Sequence, residues 1–179
     1  MNSLKQNIIF WSFAATGFFA MTQNAQAQSA TGTVNASATV LAYLDVTKVD
    51  DVAFGPINPG SAATLTPGGA VGAGQSLGVL QIDHNSDVVV SAAVPTVLTL
   101  TGAPDLPVSF TCGYAPAASG ALDGASSACD GMANRAGNGN GSTKTSYIQI
   151  GGTIAAADTS NRMPGTYTGS LVFTITATY

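Results

Sequence analysis

The fold is decided by the C-terminal stretch Gly165–Tyr179, which reads GTYTGSLVFTITATY. Glycines mark a turn at its start, and apolar residues then alternate with threonines. The apolar face carries Leu171, Phe173, Ile175, Ala177 and Tyr179, and the opposite face carries Thr174, Thr176 and Thr178. A period of two residues is typical of a half-buried strand, so we predict a strand over Tyr167–Thr178. Its apolar face needs a cover from the rest of the chain or from another molecule.

The remainder of the chain carries the same kind of pattern in shorter pieces. Threonine, valine and alanine dominate, turn residues recur, and no sustained helical periodicity follows residue 27. These features are typical of an all-β protein, and the strand spacing favours an immunoglobulin-like β-sandwich over a barrel. The other predicted strands are Val34–Val46, Val52–Phe54, Ala63–Thr66, Leu77–Ile82, Val88–Ala93, Val97–Leu100, Val108–Cys112, Tyr147–Ile150 and Thr153–Ala156.

The N-terminal residues 1–27 have the pattern of a secretory signal peptide. Lys5 precedes the apolar run Ile8–Met21, and Ala25-Gln26-Ala27 is a small-x-small cleavage site. A membrane anchor is the alternative, but the run is shorter than the roughly 20 residues that span a bilayer. We therefore expect export, first to a periplasm and then to the cell surface or medium, without stable membrane insertion after cleavage. Residues 28–179 have the length of one domain.

Charge and cysteine content narrow the function classes further. Residues 28–179 contain four scattered cations and no glutamate, which disfavours nucleic-acid binding. Cys112 and Cys129 are the only cysteines, and in an exported protein such a pair predicts a disulfide. The alternative, metal ligation, lacks partners because the one histidine is distant in sequence.

A long segment rich in glycine, alanine, asparagine and serine, Gly113–Ser146, is predicted to be a loop. A Cys112–Cys129 disulfide would tether its first half and leave Asp130–Ser146 as the mobile part. Loops of this length are usually functional or disordered. The two interpretations are a variable, solvent-exposed surface loop and a binding site for a carbohydrate or protein.

Sequence signals for catalysis or metal binding are weak. His84 could act as a base, but no serine lies in a nucleophile-elbow pattern, and a solvated turn residue at a strand end is the simpler interpretation. Asp83, Asn85 and Asp87 resemble half of a calcium loop, yet the glycine and the bidentate glutamate of such a loop are missing. A turn joining two strands explains these residues as well. We predict no catalytic residues, no metal site and no cofactor.

The first strand predicted after the signal peptide has apolar residues at alternate positions over an unusually long stretch. One face is predicted to carry Val34, Ala36, Ala38, Val40, Ala42, Leu44 and Val46. Typical strands are about 5 to 6 residues long. Either the strand bends between sheets, or its earlier half pairs elsewhere while its later half pairs within the domain.

Four segments together resemble the motif series of a pilin-like family of secreted bacterial proteins of unknown function. They are Asp51–Ile57 (DVAFGPI), Ile150–Ile154 (IGGTI), Gly165–Gly169 (GTYTG) and the aromatic end Tyr179. The corresponding family patterns are D-L-x-F-G-x-I, V-G-G-T-L, G-x-Y-x-G and a closing V-x-Y strand. The positions that match are Phe54, Gly55, Gly151, Gly152, Gly165, Tyr167 and Gly169.

The chain is also similar to subunits of chaperone-usher fimbriae. That resemblance implies an immunoglobulin-like, pilin-like sandwich without its last strand, whose groove receives a neighbour's N-terminal extension. It implies as partners neighbouring copies or related subunits, a periplasmic chaperone and an outer-membrane usher. The candidate donor residues are Val34, Ala36, Ala38 and Val40, and Leu171–Tyr179 would form one wall of the groove. The competing hypothesis is a self-complete binding module that uses the Gly113–Ser146 loop.

Overall fold

Eleven residues of uninterrupted strand, Lys144–Ile154, run through the middle of the larger sheet. The structure is a computed structural model, and it describes residues 35–137 and 142–178. The strands are β1 (Leu44–Asp50), β2 (Ala63–Leu65), β3 (Gly78–His84), β4 (Asp87–Ala93), β5 (Val97–Leu98), β6 (Leu106–Pro107), β7 (Ser109–Ala115), β8 (Ser127–Ala128), β9 (Lys144–Ile154) and β10 (Val172–Thr178). A 3₁₀ helix over Cys129–Gly131 and the short helix α1 over Ala156–Thr159 complete the described elements.

The strands form antiparallel sheets. The large sheet has the order β1-β3-β9-β7-β8, and β2 pairs with the C-terminal end of β9. β10 and β4 form a second sheet, and β5 and β6 a short third one. Only Asn85 and Ser86 separate β3 from β4, so at this point the chain turns a corner from one sheet into the other.

The core lies between the large sheet and the β4–β10 sheet. Ile82 of β3 and Ile148 of β9 are fully buried, and Val90 of β4 belongs to the same apolar cluster. The cluster also contains Phe54, Ala63, Leu65, Leu98, Leu106, Val108, Phe110, Cys112, Cys129, Met132, Ile150 and Ile154. Facing apolar sheet surfaces exclude water from each other, which is the usual driving force of a sandwich. The predicted all-β sandwich is confirmed.

Several predicted strand boundaries are wrong. β9 is one strand where two were expected, because Gly151 and Gly152 continue the ladder instead of ending it. β10 begins at Val172, five residues later than predicted. Val52–Phe54 makes only a single bridge, from Ala53 to Ser76. Thr153–Ala156 is not a separate strand either, since Ile154 ends β9 and α1 follows.

The prediction of a strand from Val34 to Val46 is also wrong. Val34 lies outside the described residues, Ala36 and Ala38 are exposed without regular secondary structure, and the strand starts only at Leu44. Val40 is exposed over 80% of its surface. A parity pattern records which positions are apolar, but pairing also requires a neighbouring strand with free hydrogen-bonding groups.

The predicted disulfide is confirmed, and it lies in a segment more ordered than the sequence suggests. Cys112 of β7 and Cys129 of the 3₁₀ helix are bonded and buried. The expected mobile part, Asp130–Ser146, contains the buried Met132, and its last residue is fully buried within β9. The loop prediction therefore fails at both ends, because β7 extends to Ala115 and β9 begins at Lys144.

The described residues fall into two units. Residues 39–178 contain all the strands, while Asn35–Ala38 belong to a separate N-terminal unit. The predicted signal peptide and Tyr179 lie outside the described residues. In the described ranges, no helix has the length and apolar character required to cross a membrane.

Candidate functional site

An open groove with a volume of about 1080 Å³ lies along one side of the sandwich. One wall is the chain from Lys48 to Ile57, and the other is the chain from Arg162 to Phe173. The floor consists of apolar side chains from both sheets and their connections, namely Leu80, Leu98, Leu106, Phe110, Ile150 and Ile154. We call this cavity, with its two walls, the open groove.

β1, whose last residues belong to the first wall, presents an apolar face that nothing in residues 39–178 covers fully. Val46 of β1 lies directly opposite Ile82 of β3, so both side chains point toward the core. Ile82 is fully buried, whereas Val46 is 42% exposed. Lys48, the next inward residue of β1, lines the groove and reaches Asp51 with its ammonium group, 2.9 Å away. The core is therefore complete at β3 and incomplete at β1.

β10, which continues the chain beyond the second wall, shows the same step in burial. Ile175 of β10 lies opposite Val90 of β4, and Ala177 lies opposite Val88. The two β4 residues are buried, but the inward residues of β10 are only partly buried. Within the described residues β10 pairs along one edge alone, with β4. Its other edge leaves backbone hydrogen-bonding groups available to an added strand.

The size of the groove corresponds to one missing strand. Strand rise, strand spacing and the distance between stacked sheets are about 3.3, 4.8 and 10 Å, giving each residue about 160 Å³ of sandwich. A cavity of about 1080 Å³ thus has room for about seven residues in extended form. β1, β4 and β10 are each seven residues long.

The residues of the first predicted motif turn the chain at the end of this groove. Phe54 is buried, and its ring packs at a tilt against Phe110 on the floor, with 6.3 Å between ring centroids. Gly55 has a φ of 71°, in the left-handed region that favours glycine. A β-carbon at Gly55 would also approach the carbonyl oxygen of Gly74 to 3.0 Å. The motif therefore fixes where the first wall ends.

The glycine pair of the second motif lets neighbouring strands approach β9 closely. A β-carbon at Gly151 would lie 2.1 Å from the carbonyl oxygen of Leu65, and one at Gly152 would lie 2.3 Å from that of Ser109. Real β-carbons do not come this close to backbone atoms. Gly151 and Gly152 thus have a packing role beneath the floor of the groove.

The third motif forms part of the second wall. Thr168 makes a backbone bridge with Thr99 just beyond β5, which holds the wall against that strand. A β-carbon at Gly169 would lie 2.9 Å from Leu98, and one at Gly165 would lie 2.5 Å from Leu100. Tyr167, between them, lines the groove and donates its hydroxyl hydrogen to the carbonyl oxygen of Met163 over 3.2 Å.

The opposite side of the sandwich is sealed, and we call it the closed side. It comprises the Cys112–Cys129 disulfide, the buried Met132 and the segment around Arg135. Arg135 exchanges two backbone hydrogen bonds with Val88 of β4, of 2.8 and 2.9 Å. Its guanidinium group forms an ion pair with Asp123. This segment thereby covers the edge of β4 that does not face β10.

His84 is part of the closed side, so its interpretation as a solvated turn residue is wrong. It is fully buried, and its Nδ1 lies 2.7 Å from the carbonyl oxygen of Ser86, to which it donates. The hydroxyl of the equally buried Ser146 then donates to Nε2 over 3.1 Å and accepts from Arg135 Nε over 3.2 Å. Because both His84 and Ser146 are inaccessible, this pair cannot meet a substrate in this structure.

The predicted half calcium loop is the corner between β3 and β4, and its side chains serve separate contacts. Asp83 accepts from Thr145 and from the amide of Gln81, and Asp87 accepts from the backbone N–H of Gly137. Asn85 bonds the chain just before β1. In the described ranges, no cluster of three histidine, cysteine or acidic side chains is arranged to hold a metal ion.

A second cavity, of about 510 Å³, lies on the closed side. Tyr114, Asp123, Arg135 and Lys144 contribute to its lining. The guanidinium carbon of Arg135 lies 5.1 Å from the centre of the Tyr114 ring. Burial raises the pKa of the Tyr114 phenol, and its hydroxyl has no hydrogen-bond partner among the described residues.

Comparison with protein families places the chain in a defined group. A family model described as a domain of unknown function, DUF4402, matches residues 44–179. The chain belongs to this family. The match begins at Leu44, the first residue of β1, and includes both walls of the open groove. No curated protein and no solved structure matches the chain.

Proposed function

We propose that this DUF4402 protein is a noncatalytic structural subunit of a fimbria-like surface fibre, assembled by donor-strand exchange. The observation that carries the proposal is the open groove, which has room for about seven extended residues and, among the described residues, adjoins the unpaired edges of β1 and β10 at one end of each strand. A strand from another subunit would complete the core and satisfy the free backbone groups of β10. This is the strand-addition mode of peptide recognition.

The apolar chemistry of the groove supports a strand as its occupant. Its floor is aliphatic and aromatic, and its partly buried wall residues include Leu171 and Phe173. Burying apolar area contributes about 25 cal/mol per Å², while the backbone hydrogen bonds fix the orientation of the added strand. The candidate donor supplies Val34, Ala36, Ala38 and Val40 on one parity, with polar residues between them.

The proposal includes export and a set of assembly partners. The signal-peptide pattern and the buried disulfide are compatible with an oxidising compartment outside the cytoplasm. Neighbouring copies or related subunits would supply the strands. A periplasmic chaperone would cover the open groove before assembly, and an outer-membrane usher would guide polymerisation.

The direct test is deletion of Gln28–Ala38 from the exported chain. Without its donor segment the subunit is expected to form no polymers, as judged by electron microscopy and by heat-resistant ladders on denaturing gels. Normal fibres from the deletion variant would overturn the proposal.

A matched pair of double variants tests the parity of the same segment. Ala36→Asp with Ala38→Asp places charges on the face that enters the groove, and should abolish the ladders because buried unpaired charges are strongly unfavourable. Asn35→Asp with Ser37→Asp adds the same charge to the other face and should leave the ladders intact. Equal effects of the two pairs would contradict insertion by alternate residues.

The alternative function, a self-complete binding module, has one observation in its favour. The second cavity is lined by Tyr114, Asp123 and Arg135 among others, a combination suited to a polar ligand such as a carbohydrate. A glycan array with the wild-type chain and Tyr114→Phe is the test. A signal that depends on the hydroxyl would favour this alternative, and no such signal would count against it.

A further inference from the structure

Arg162 is a partly buried cation on the second wall of the open groove. Its Nε donates to the carbonyl oxygen of Asp158 in α1 over 2.7 Å. Neither the carboxylate of Asp158 nor any other carboxylate within residues 35–137 and 142–178 forms an ion pair with its guanidinium group. The two terminal nitrogens make no hydrogen bond with the described residues, so their N–H donors remain available to a ligand.

Lys48, the other cation that lines the groove, already has an acidic partner. Both carboxylate oxygens of Asp51 accept from its ammonium group, over 3.0 and 2.9 Å. Asp50 also lines the groove next to this pair, which makes the Lys48 end acidic. Among the described residues, Arg162 is therefore the one groove-lining cation without an acidic partner, and an anionic group is expected to bind there.

The two cations lie near opposite ends of the apolar floor. In register, Lys48 lies opposite Leu80, and Leu80 lies opposite Ile148 of β9. Arg162 is instead fastened to α1, which begins two residues after Ile154, the last residue of β9. The six residues from Ile148 to Ile154 correspond to about 20 Å of extended strand. A long apolar surface thus extends away from the unpaired guanidinium group.

One unpaired cation at the end of a long apolar floor suits an amphiphilic carboxylate. The planar guanidinium group matches the two oxygens of a carboxylate, and the salt bridge is screened less beside an apolar floor than on an open surface. A hydrocarbon chain behind the carboxylate would remove the floor from water, which is favourable. The groove volume of about 1080 Å³ is sufficient, since small-molecule sites typically occupy about 300–1,000 Å³.

We propose that the open groove binds an amphiphilic carboxylate of the fatty-acid class, with its head group on Arg162 and its hydrocarbon chain along the apolar floor. This inference goes beyond the proposed function and does not depend on strand exchange, because it concerns a groove that holds no donated strand. The ligand would cover the apolar surface that the isolated protein exposes.

The experiment measures binding of decanoate, below its micellar concentration, to the purified exported chain by isothermal titration calorimetry. Decan-1-ol has the same chain length and no charge, so it serves as the matched ligand. Arg162→Gln should weaken decanoate binding by about tenfold or more, and leave decanol binding unchanged, because only the carboxylate loses a charged partner. Lys144→Gln removes a cation from the closed side and should change neither affinity.

Two neighbouring variants test whether the hydrocarbon chain lies in the groove. Leu171→Ser shortens a partly buried apolar side chain that lines the groove, and should weaken decanoate and decanol by the same factor. Val172→Ser makes the same kind of change at a side chain that is 58% exposed, and should weaken neither. Equal effects of the two variants would overturn the placement of the ligand in the groove.

Two further results would overturn the inference. One is the absence of saturable decanoate binding to the wild type, and the other is equal decanoate affinity of the wild type and Arg162→Gln. Should Arg162→Gln not fold, Arg162→Lys keeps the charge but loses the planar fork, and a smaller loss for decanoate alone is expected. Fibre formation enters none of these measurements, so failure of strand exchange and failure of carboxylate binding are distinguishable.

Discussion

The two sides of the sandwich differ in how the gap between its sheets is closed. On the closed side, the segment around Arg135 pairs with β4 and a disulfide fastens the preceding helix to β7. Along the open groove, β1 and β10 have no such cover, and their inward residues are partly exposed. Among the described residues, the larger cavity therefore lies beside the uncovered strands, while the closed side has only the smaller cavity of about 510 Å³.

The largest expected effect comes from comparing two isoleucine truncations, one in the sealed core and one on β10. Ile148→Ala removes a fully buried side chain of β9 and should lower the free energy of unfolding by about 2–5 kcal/mol. Ile175→Ala removes a partly buried side chain of β10 and should lower the free energy of unfolding of the isolated protein by only about 1 kcal/mol. Urea unfolding of both variants measures the difference. Equal losses would show that the inward face of β10 is already covered in the isolated protein.

The next effect concerns the covalent fastening of the closed side. Replacing Cys112 and Cys129 together by serine opens a loop with a sequence separation of 17. The chain-entropy model then predicts a loss of about 3 kcal/mol in the free energy of unfolding. Reduction of the wild type with dithiothreitol is the matched control. An unchanged urea midpoint in both experiments would mean that the noncovalent contacts of Met132 and Arg135 suffice to seal this side.

The smallest effect is a pH dependence at the outer edge of the β3–β9 ladder. The hydroxyl of Thr145, and secondarily the amide of Gln81, hold the pKa of the Asp83 carboxyl below its usual range. A lowered folded pKa means that the carboxylate stabilises the fold above the unfolded pKa, and that this contribution is lost as the pH falls through about 4 and below. Asp83→Asn should therefore flatten the acid limb of a plot of melting temperature against pH. Parallel limbs for the two proteins would contradict this assignment.

Short sequence patterns correctly predicted those features of the fold that depend on neighbouring residues. The alternation of Phe173, Ile175 and Ala177 marked β10 as a one-sided strand, and its inward residues are those expected. The two cysteines, together with the signal-peptide pattern, predicted the disulfide. Gly151 and Gly152 suggested a break between two strands, but their role is to let the backbones on both flanks approach β9 closely.

The sequence did not predict features that depend on contacts between residues far apart in the chain. His84 is buried because Ser146 and Arg135, far away along the chain, cover it. The start of β1 at Leu44 depends on where β3 ends and on the hydrogen bonds of Asn85. The periodicity of apolar residues does not indicate which distant residues form hydrogen bonds with each other. The groove was expected only from the resemblance to fimbrial subunits, because no residue pattern in the chain shows that a neighbouring strand is missing.

The composition of β10 carries a hazard for every copy whose groove is empty. Its seven residues, VFTITAT, include no charge, no proline and no glycine, and one edge of the strand lacks a partner among the described residues. Short, neutral segments of high β-propensity with a free edge are templates for amyloid-like pairing. Under the proposed strand exchange, an incorrect strand would compete with the donated strand for this edge, and the competition would increase with the concentration of protein whose groove is empty.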